Sequence, residues 1–196
     1  MPNVYDFDKT VVYPDSGFTF FGFCFRRHWF RMLRHMPRVG LELLRFALKR
    51  KNGSPRGNFY VFLRSLPDWR EEVRLFWEQN ADAMLKPWYL KQKRPDDIII
   101  SCTAHFLLEP MCEQLGVRLL ATEVCLETYR LTGHSCYGHE KVRRFHEAYP
   151  GVEIDEFYSD SLADSPLANI AKQAFFVIDD EILPWPDAKS ARTIQK

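Results

Sequence analysis

The sequence predicts an α/β protein: a doubly wound parallel sheet of Rossmann-like type, interrupted near its start by an all-helical insertion. Three observations carry this. A short apolar stretch ending in acids opens the chain at residues 3–8, helical periodicity alone governs residues 15–86, and from residue 97 onward strands and helices alternate as parallel βαβ units do. The economical division is a core of residues 1–14 and 87–196 with a helical cap of residues 15–86. A chain of 196 residues suffices for such a core plus an insertion. Hydrophobic residues at 46% and charged residues at 27% exclude a disordered, collagenous or fibrous chain.

Taken in order, Asn3-Val4-Tyr5-Asp6-Phe7-Asp8 reads as a buried strand whose last residues are carboxylates, followed by a turn through Lys9-Thr10 and Pro14-Asp15. From Phe18 the spacing becomes helical. At about 100° per residue, Phe18, Phe21, Phe25, Trp29, Met32 and Met36 share one stripe while Arg27, Arg31, Arg34 and Arg38 lie opposite. The stripe is expected to face the interior of the insertion, with the helix ending near Pro37 and Phe20, Phe23 and Phe30 projecting toward the arginine side. A second helical run covers 39–51 and a short third one 57–66. Asp68-Trp69-Arg70-Glu71 has the form of a capping box and opens a fourth helix that runs to about Lys86, before Pro87. Beyond it the spacing predicts a buried strand at 97–101, a helix at 104–115, a strand at 117–121 and a hairpin-like stretch at 124–133. A helix at 140–149, a strand at 156–159, a helix at 167–172 and a strand at 175–178 follow.

Five cysteines, at 24, 102, 112, 125 and 136, are odd in number and form no CxxC pair, and the first residues show no signal-peptide pattern. A reducing cytoplasm is the expected location. The longest uncharged aromatic stretch, 16–25, is half the ~20 residues a membrane-spanning helix needs. His134, Cys136 and His139 lack a fourth ligand at sensible spacing, so no zinc site is expected. The net charge of +1 conceals an asymmetry: residues 1–100 carry +7 and the rest −6, and residues 26–51 hold nine basic residues against one acid, Glu42. That basic insertion suits a substrate with extra negative charge or a peripheral contact with anionic membrane.

Sites in parallel α/β sheets form at the carboxyl ends of strands. The first strand delivers Asp6, Asp8 and Thr10 there; the 97–101 strand delivers Ser101 and Thr103; the 156–159 strand delivers Asp160, with Asp164 one turn later. Lys141 starts the intervening helix. Four carboxylates at one rim need compensation, and a hard divalent cation with oxygen ligands, Mg²⁺ by preference, together with the lysine, supplies it.

Asp6-Phe7-Asp8-Lys9-Thr10 resembles the first motif, DxDxT, of the haloacid dehalogenase superfamily of phosphohydrolases, and Ser101-Cys102-Thr103 resembles its second. The stretch from Gly138 to Val142 is similar to the lysine region of the third motif, and 159–166, with Asp160 and Asp164, to the fourth. The phosphoserine-phosphatase-like branch, which carries a helical cap between motifs one and two, is the closest match. The resemblance implies an aspartyl-phosphate mechanism. In it Asp6 is the nucleophile, Asp8 the acid and then the base, and Lys141 the cation that neutralises the nucleophile and the transferring phosphoryl group. It further implies Mg²⁺ held by Asp6, Asp8 through its carbonyl, and Asp160, with Asp164 beside a metal-bound water or positioning Lys141. Thr10, Ser101, Cys102 and Asp15 are the implied substrate-binding residues. Asp15 stands where the phosphoserine enzymes place a substrate-reading Glu, and Lys9 where they place a small residue, so phosphoserine is not the first expectation. A small phosphorylated metabolite or lipid headgroup is expected as substrate and nucleic acid is not expected as partner. The alternatives are a phosphotransferase or mutase of the same superfamily, or a non-catalytic binding module using the basic insertion.

Overall fold

Strand β1 (Val4–Tyr5) lies between two parallel neighbours, and its fully buried side chains are what a position covered on both faces requires. The computed structural model describes residues 1–33, 37, 40–41 and 59–186. Around β1 run β2 (Ile98–Ala104), β3 (Arg118–Thr122), β6 (Ile154–Ser159), β7 (Ala171–Ile178) and β8 (Glu181–Pro184), in the order β3-β2-β1-β6-β7-β8. All pair in parallel except β8, which returns antiparallel along β7. A separate hairpin pairs β4 (Val124–Cys125) with β5 (Arg130–Leu131). The chain moves outward from β1 to β3 and then comes back to the other side at β6. The order therefore reverses between β1 and β6, and a crevice opens at their carboxyl ends. The predicted α/β class and parallel sheet are observed.

The regular elements described between β1 and β2 are helical: α1 (Ser16–Met32), a 3₁₀ segment (Phe59–Ser65), α2 (Trp69–Met84) and α3 (Pro87–Gln92). The expected 39–51 helix falls almost entirely outside the described residues, as do Met36, Arg34 and Arg38 of the predicted stripes. The core helices are α4 (His105–Leu115), α5 (His139–Ala148) and α6 (Ser165–Ala168).

Several expectations are corrected. In α1 the buried residues are Ser16, Gly17, Phe20, Phe23, Cys24 and Met32, so of the predicted stripe Met32 is buried as expected while its first turns are rotated toward Phe20 and Phe23. Phe18 and Phe21 are only partly buried, against Phe59 and Phe62, Phe25 is partly buried against Phe21, and Trp29 is exposed. Helical geometry breaks at His28 (φ −132°, ψ 28°), where Glu72 of α2 accepts from Arg27 Nε and meets His28 Nε2, both at 2.8 Å. A buried carboxylate thus pins the kink. Only half of the predicted capping box forms: Asp68 accepts from Arg70 N, while Glu71 turns to Arg74. The predicted 167–172 helix is replaced by the single turn of α6, because Ala171 already begins β7. Strand β2 continues past Ser101 to Ala104, with a register shift against β3 in between, so Ser101 lies inside the strand.

Insertion and core share one hydrophobic cluster, in which Phe20, Phe62 and Phe76 pack with Phe7, Leu107 and Tyr158. The Trp77 indole donates to Leu107 O at 2.6 Å, and Tyr60 Oη accepts from Ala104 N at 3.2 Å. Each fully buried Phe contributes about 1.5–3 kcal/mol, so these contacts hold the described helices firmly on the sheet.

Candidate active site

Asp6 follows β1 directly, and its N–H donates to Tyr158 O at 2.9 Å, which extends the pairing with β6 by one residue and fixes where the side chain leaves the sheet. The chain then wraps tightly: the amides of Thr10, Val11 and Val12 all donate to the Phe7 carbonyl, and Lys9 adopts φ 59°. This turn brings Asp8 to the same crevice. Asp8 Oδ1 accepts from Ser16 N at 2.7 Å and Ser16 Oγ at 2.5 Å, and Oδ2 accepts from Thr103 Oγ1 at 2.5 Å. The first residue of a 17-residue helix therefore donates to this carboxylate, a favourable arrangement at a helix N-terminus.

Lys141 enters from α5, one turn before the buried Phe145 that anchors the helix. Gly138 precedes that helix with φ 57° and ψ −124°, a backbone conformation that side chains with a Cβ rarely adopt. The buried ammonium donates to Asp6 Oδ1 at 2.8 Å and to Asp164 Oδ2 at 2.7 Å, and Ser159 Oγ donates to the same Asp164 oxygen at 2.8 Å. Asp160, after β6, is held by its N–H, which donates to Thr10 Oγ1 at 3.0 Å.

Two buried carboxyl groups, Asp6 and Asp164, share one lysine, with the half-buried Asp160 beside them. Burial lifts the Asp6 carboxyl well above the usual range, Asp164 and Asp160 add to the rise, and Lys141 opposes it. Burial likewise raises Asp160 to about 6, with Asp164 and Asp8 adding and Lys9 and Lys141 opposing. Burial also works against the Lys141 ammonium, but Asp164 and Asp6 outweigh it and keep its pKa well above the usual lysine range. The cluster is short of positive charge.

A cavity of about 150 Å³ opens here, lined by Asp6, Asp8, Lys9, Asp15, Cys102, Tyr137, Lys141, Asp160, Ser161 and Asp164. Seven of the nine predicted site residues meet at it. Thr10 and Ser101 do not line it: Thr10 is buried beneath as the acceptor for Asp160 N, and the buried Ser101 hydroxyl accepts from Thr103 N at 3.2 Å. Asp15 caps α1 through a hydrogen bond from Phe18 N at 3.0 Å while also reaching the cavity. Cys102, implied as a substrate-binding residue, is half-buried and lines the cavity. Sequence reasoning missed Tyr137, Ser16 and Ser159. Ser159 and Ser16 each adjoin a predicted acid, which is the signal that could have found them; Tyr137 carries none.

Among the described residues no three His, Cys, Asp or Glu side chains form a ready-made metal cage, and no helix is long and apolar enough to cross a membrane. The donor set that the site does offer, carboxylates short of positive charge, fits Mg²⁺, which takes one or two carboxylates and keeps several waters.

A family model described as haloacid dehalogenase-like hydrolase matches residues 4–169. No functionally curated protein matches the chain. Among solved structures, a protein of unknown function from Bordetella pertussis Tohama I is similar with a TM-score of 0.75 at 18% identity, over 99% of this chain and 94% of that one. A phosphoserine phosphohydrolase-like protein from Francisella tularensis subsp. tularensis SCHU S4 gives 0.54 at 14% identity, over 89% and 86%. A HAD family hydrolase from Salmonella enterica subsp. enterica serovar Typhi gives 0.52 at 14% identity, over 88% of this chain and 62% of that one. At such identities these likenesses concern the fold.

Proposed function

Because the chain belongs to the haloacid dehalogenase-like hydrolase family, we propose that it is a Mg²⁺-dependent phosphomonoester hydrolase that forms an aspartyl-phosphate on Asp6. The observation that carries this is the pairing of Asp6 with Lys141, two residues from a second carboxylate, Asp8, that three donors hold in place. A nucleophile must be ionised, and Lys141 acts against the burial that opposes ionisation. With Oδ1 engaged by Lys141, Oδ2 is the oxygen left to attack phosphorus. As the new O–P bond forms the ester O–P bond breaks, and the departing oxygen takes a proton from Asp8. Asp8 then accepts a proton from water, which attacks the acyl phosphate, releases inorganic phosphate and returns the Asp6 carboxylate. Asp6, Asp160 and the Asp8 carbonyl would hold Mg²⁺, which would neutralise the phosphoryl oxygens and the carboxylate cluster. Asp164 and Ser159 keep the lysine aimed at Asp6.

The second acid separates this reading from carbon–halogen chemistry, where no leaving oxygen needs a proton. A lipid headgroup is the more specific substrate class. Past the kink at His28, Trp29, Phe30 and Leu33 are 55%, 76% and 48% exposed, beside Arg26 and Arg31 in the most basic part of the chain. Large aromatic and aliphatic side chains among arginines suit an anionic membrane surface.

A phosphomonoester panel with Mg²⁺, run on wild type and Asp6→Asn, tests the reaction. Phosphate release by the wild type alone is expected, and equal release by both would overturn the mechanism. Release that depends on an added alcohol acceptor would identify a phosphotransferase.

A further inference from the structure

A second buried ammonium stands behind the site. Lys86, between α2 and α3, is 1% exposed, and its Nζ donates to the carbonyl of Lys9 at 2.5 Å and to that of Asp179. Both acceptors belong to residues in the left-handed region, Lys9 at φ 59° and Asp179 at φ 50°. Such backbone is unfavourable for any residue with a Cβ and persists where the surroundings over-determine it. Main-chain bonds reinforce the same place, from Lys86 N to Val11 O and from Tyr13 N to Met84 O, both at 2.9 Å. The ammonium also lies 5.4 Å from the centroid of the Tyr13 ring, whose hydroxyl donates to both oxygens of Asp180.

Among the described residues Lys86 has no direct ion pair; its partners are two carbonyls and an aromatic face. Burial pulls its pKa down, and the neighbouring Asp180, Asp160 and Asp179 oppose that. A charge buried on these terms is unfavourable unless it holds something in place. Lys86 does not line the cavity, so its route to the chemistry runs through the Lys9 carbonyl.

We infer that Lys86 is a positioning residue that fixes the Asp8–Lys9 turn, and through it the Asp8 carboxyl against the leaving oxygen. The inference rests on the reading of Asp8 as acid and base.

Lys86→Met removes the ammonium and keeps the apolar stem. The readout is kcat/KM, with Mg²⁺ present, for 4-nitrophenyl phosphate, whose leaving group departs with little help from an acid, and for the best alkyl phosphate of the panel, whose leaving group needs a proton. Lys86→Met should lose about 30-fold on the alkyl ester and under threefold on the nitrophenyl ester, reproducing the skew of Asp8→Asn. Should Lys86→Met not fold, Lys86→Gln, which keeps an N–H donor, should show the same skew to a smaller degree. Losses that differ by less than threefold between the two esters, or no loss on either, would overturn the inference, because a residue that merely supports the fold lowers both alike. A wild type that releases phosphate from neither ester would remove the phosphatase reading itself, and this inference with it.

Discussion

Lys141 and Asp6 are 135 residues apart in the chain, yet the ammonium of one donates to Oδ1 of the other at 2.8 Å with both side chains buried. Because the same nitrogen also serves Asp164, removing it strands two buried carboxyl groups. Lys141→Met should lower stability by about 3–5 kcal/mol at pH 8. The deficit should shrink toward pH 5, because the Asp6 carboxyl, which burial lifts well above the usual range, takes up its proton there and no longer needs a cation, and phosphate release should be abolished at both. Urea unfolding at the two pH values measures it; an equal deficit at both would contradict the pairing described.

Asp8 accepts three hydrogen bonds, and they should differ in importance. Asp8→Asn should lower turnover by about 10²–10⁴, the usual worth of acid–base catalysis. Thr103→Val removes one donor and leaves both from Ser16, so a drop of about tenfold in kcat with KM unchanged is expected, following the 1.5–3 kcal/mol typical of a hydrogen bond to a charged group. Steady-state kinetics on both variants decides; a Thr103→Val enzyme as impaired as Asp8→Asn would mean that the acid is not held as the geometry indicates.

The raised pKa values have a stability consequence whose sign is unusual for carboxylates. Asp6 and Asp160, the latter at about 6, bind protons more tightly folded than unfolded. Between the ordinary carboxylate value and about 6 the folded protein therefore carries more protons, and stability falls as pH rises through that window. In EDTA, Asp160→Asn should flatten this decline. Mg²⁺ should raise Tm clearly at pH 7.5 and little at pH 5, because its ligands must be ionised. Thermal melts with and without Mg²⁺ test this, and an equal rise at both pH values would count against these ligands.

Exposure of Trp29, Phe30 and Leu33 leads to a separate experiment. The protein should co-sediment with vesicles containing phosphatidylglycerol at low salt, and a Trp29→Ser/Phe30→Ser double variant should bind several-fold less while keeping its activity on a soluble ester. Absence of binding by the wild type would remove the lipid-surface reading and leave the chemistry untouched.

The sheet is legible in the sequence because its strands are apolar runs between turn signals: the triple isoleucine of β2 has no other plausible destination. The acids at the site are legible for a related reason, since a carboxylate at the end of a buried strand has little structural purpose. Strand β8 is not legible, because it is an exposed edge strand with no apolar alternation. The facing of α1 is ambiguous for the opposite reason. With Phe at 18, 20, 21, 23 and 25, more than one stripe satisfies the helical period, and only packing against Phe62 and Phe76 selects Phe20 and Phe23. Lys86, beside a proline, reads as an ordinary surface lysine; its burial depends on a turn more than 70 residues earlier and another more than 90 later. Contacts made by tertiary closure leave no local trace.

The two hydrogen bonds from Ser16 to Asp8 bear on how such a protein can diversify. Helix α1 begins at the residue that holds Asp8, so on the proposed mechanism a graft exchanging one set of helices for another at residue 15 would cut through the site. On that mechanism new specificities are more accessible by altering the far end of α1 than by replacing all the helices between β1 and β2, because the first turn would serve the chemistry and the remainder would be free to vary.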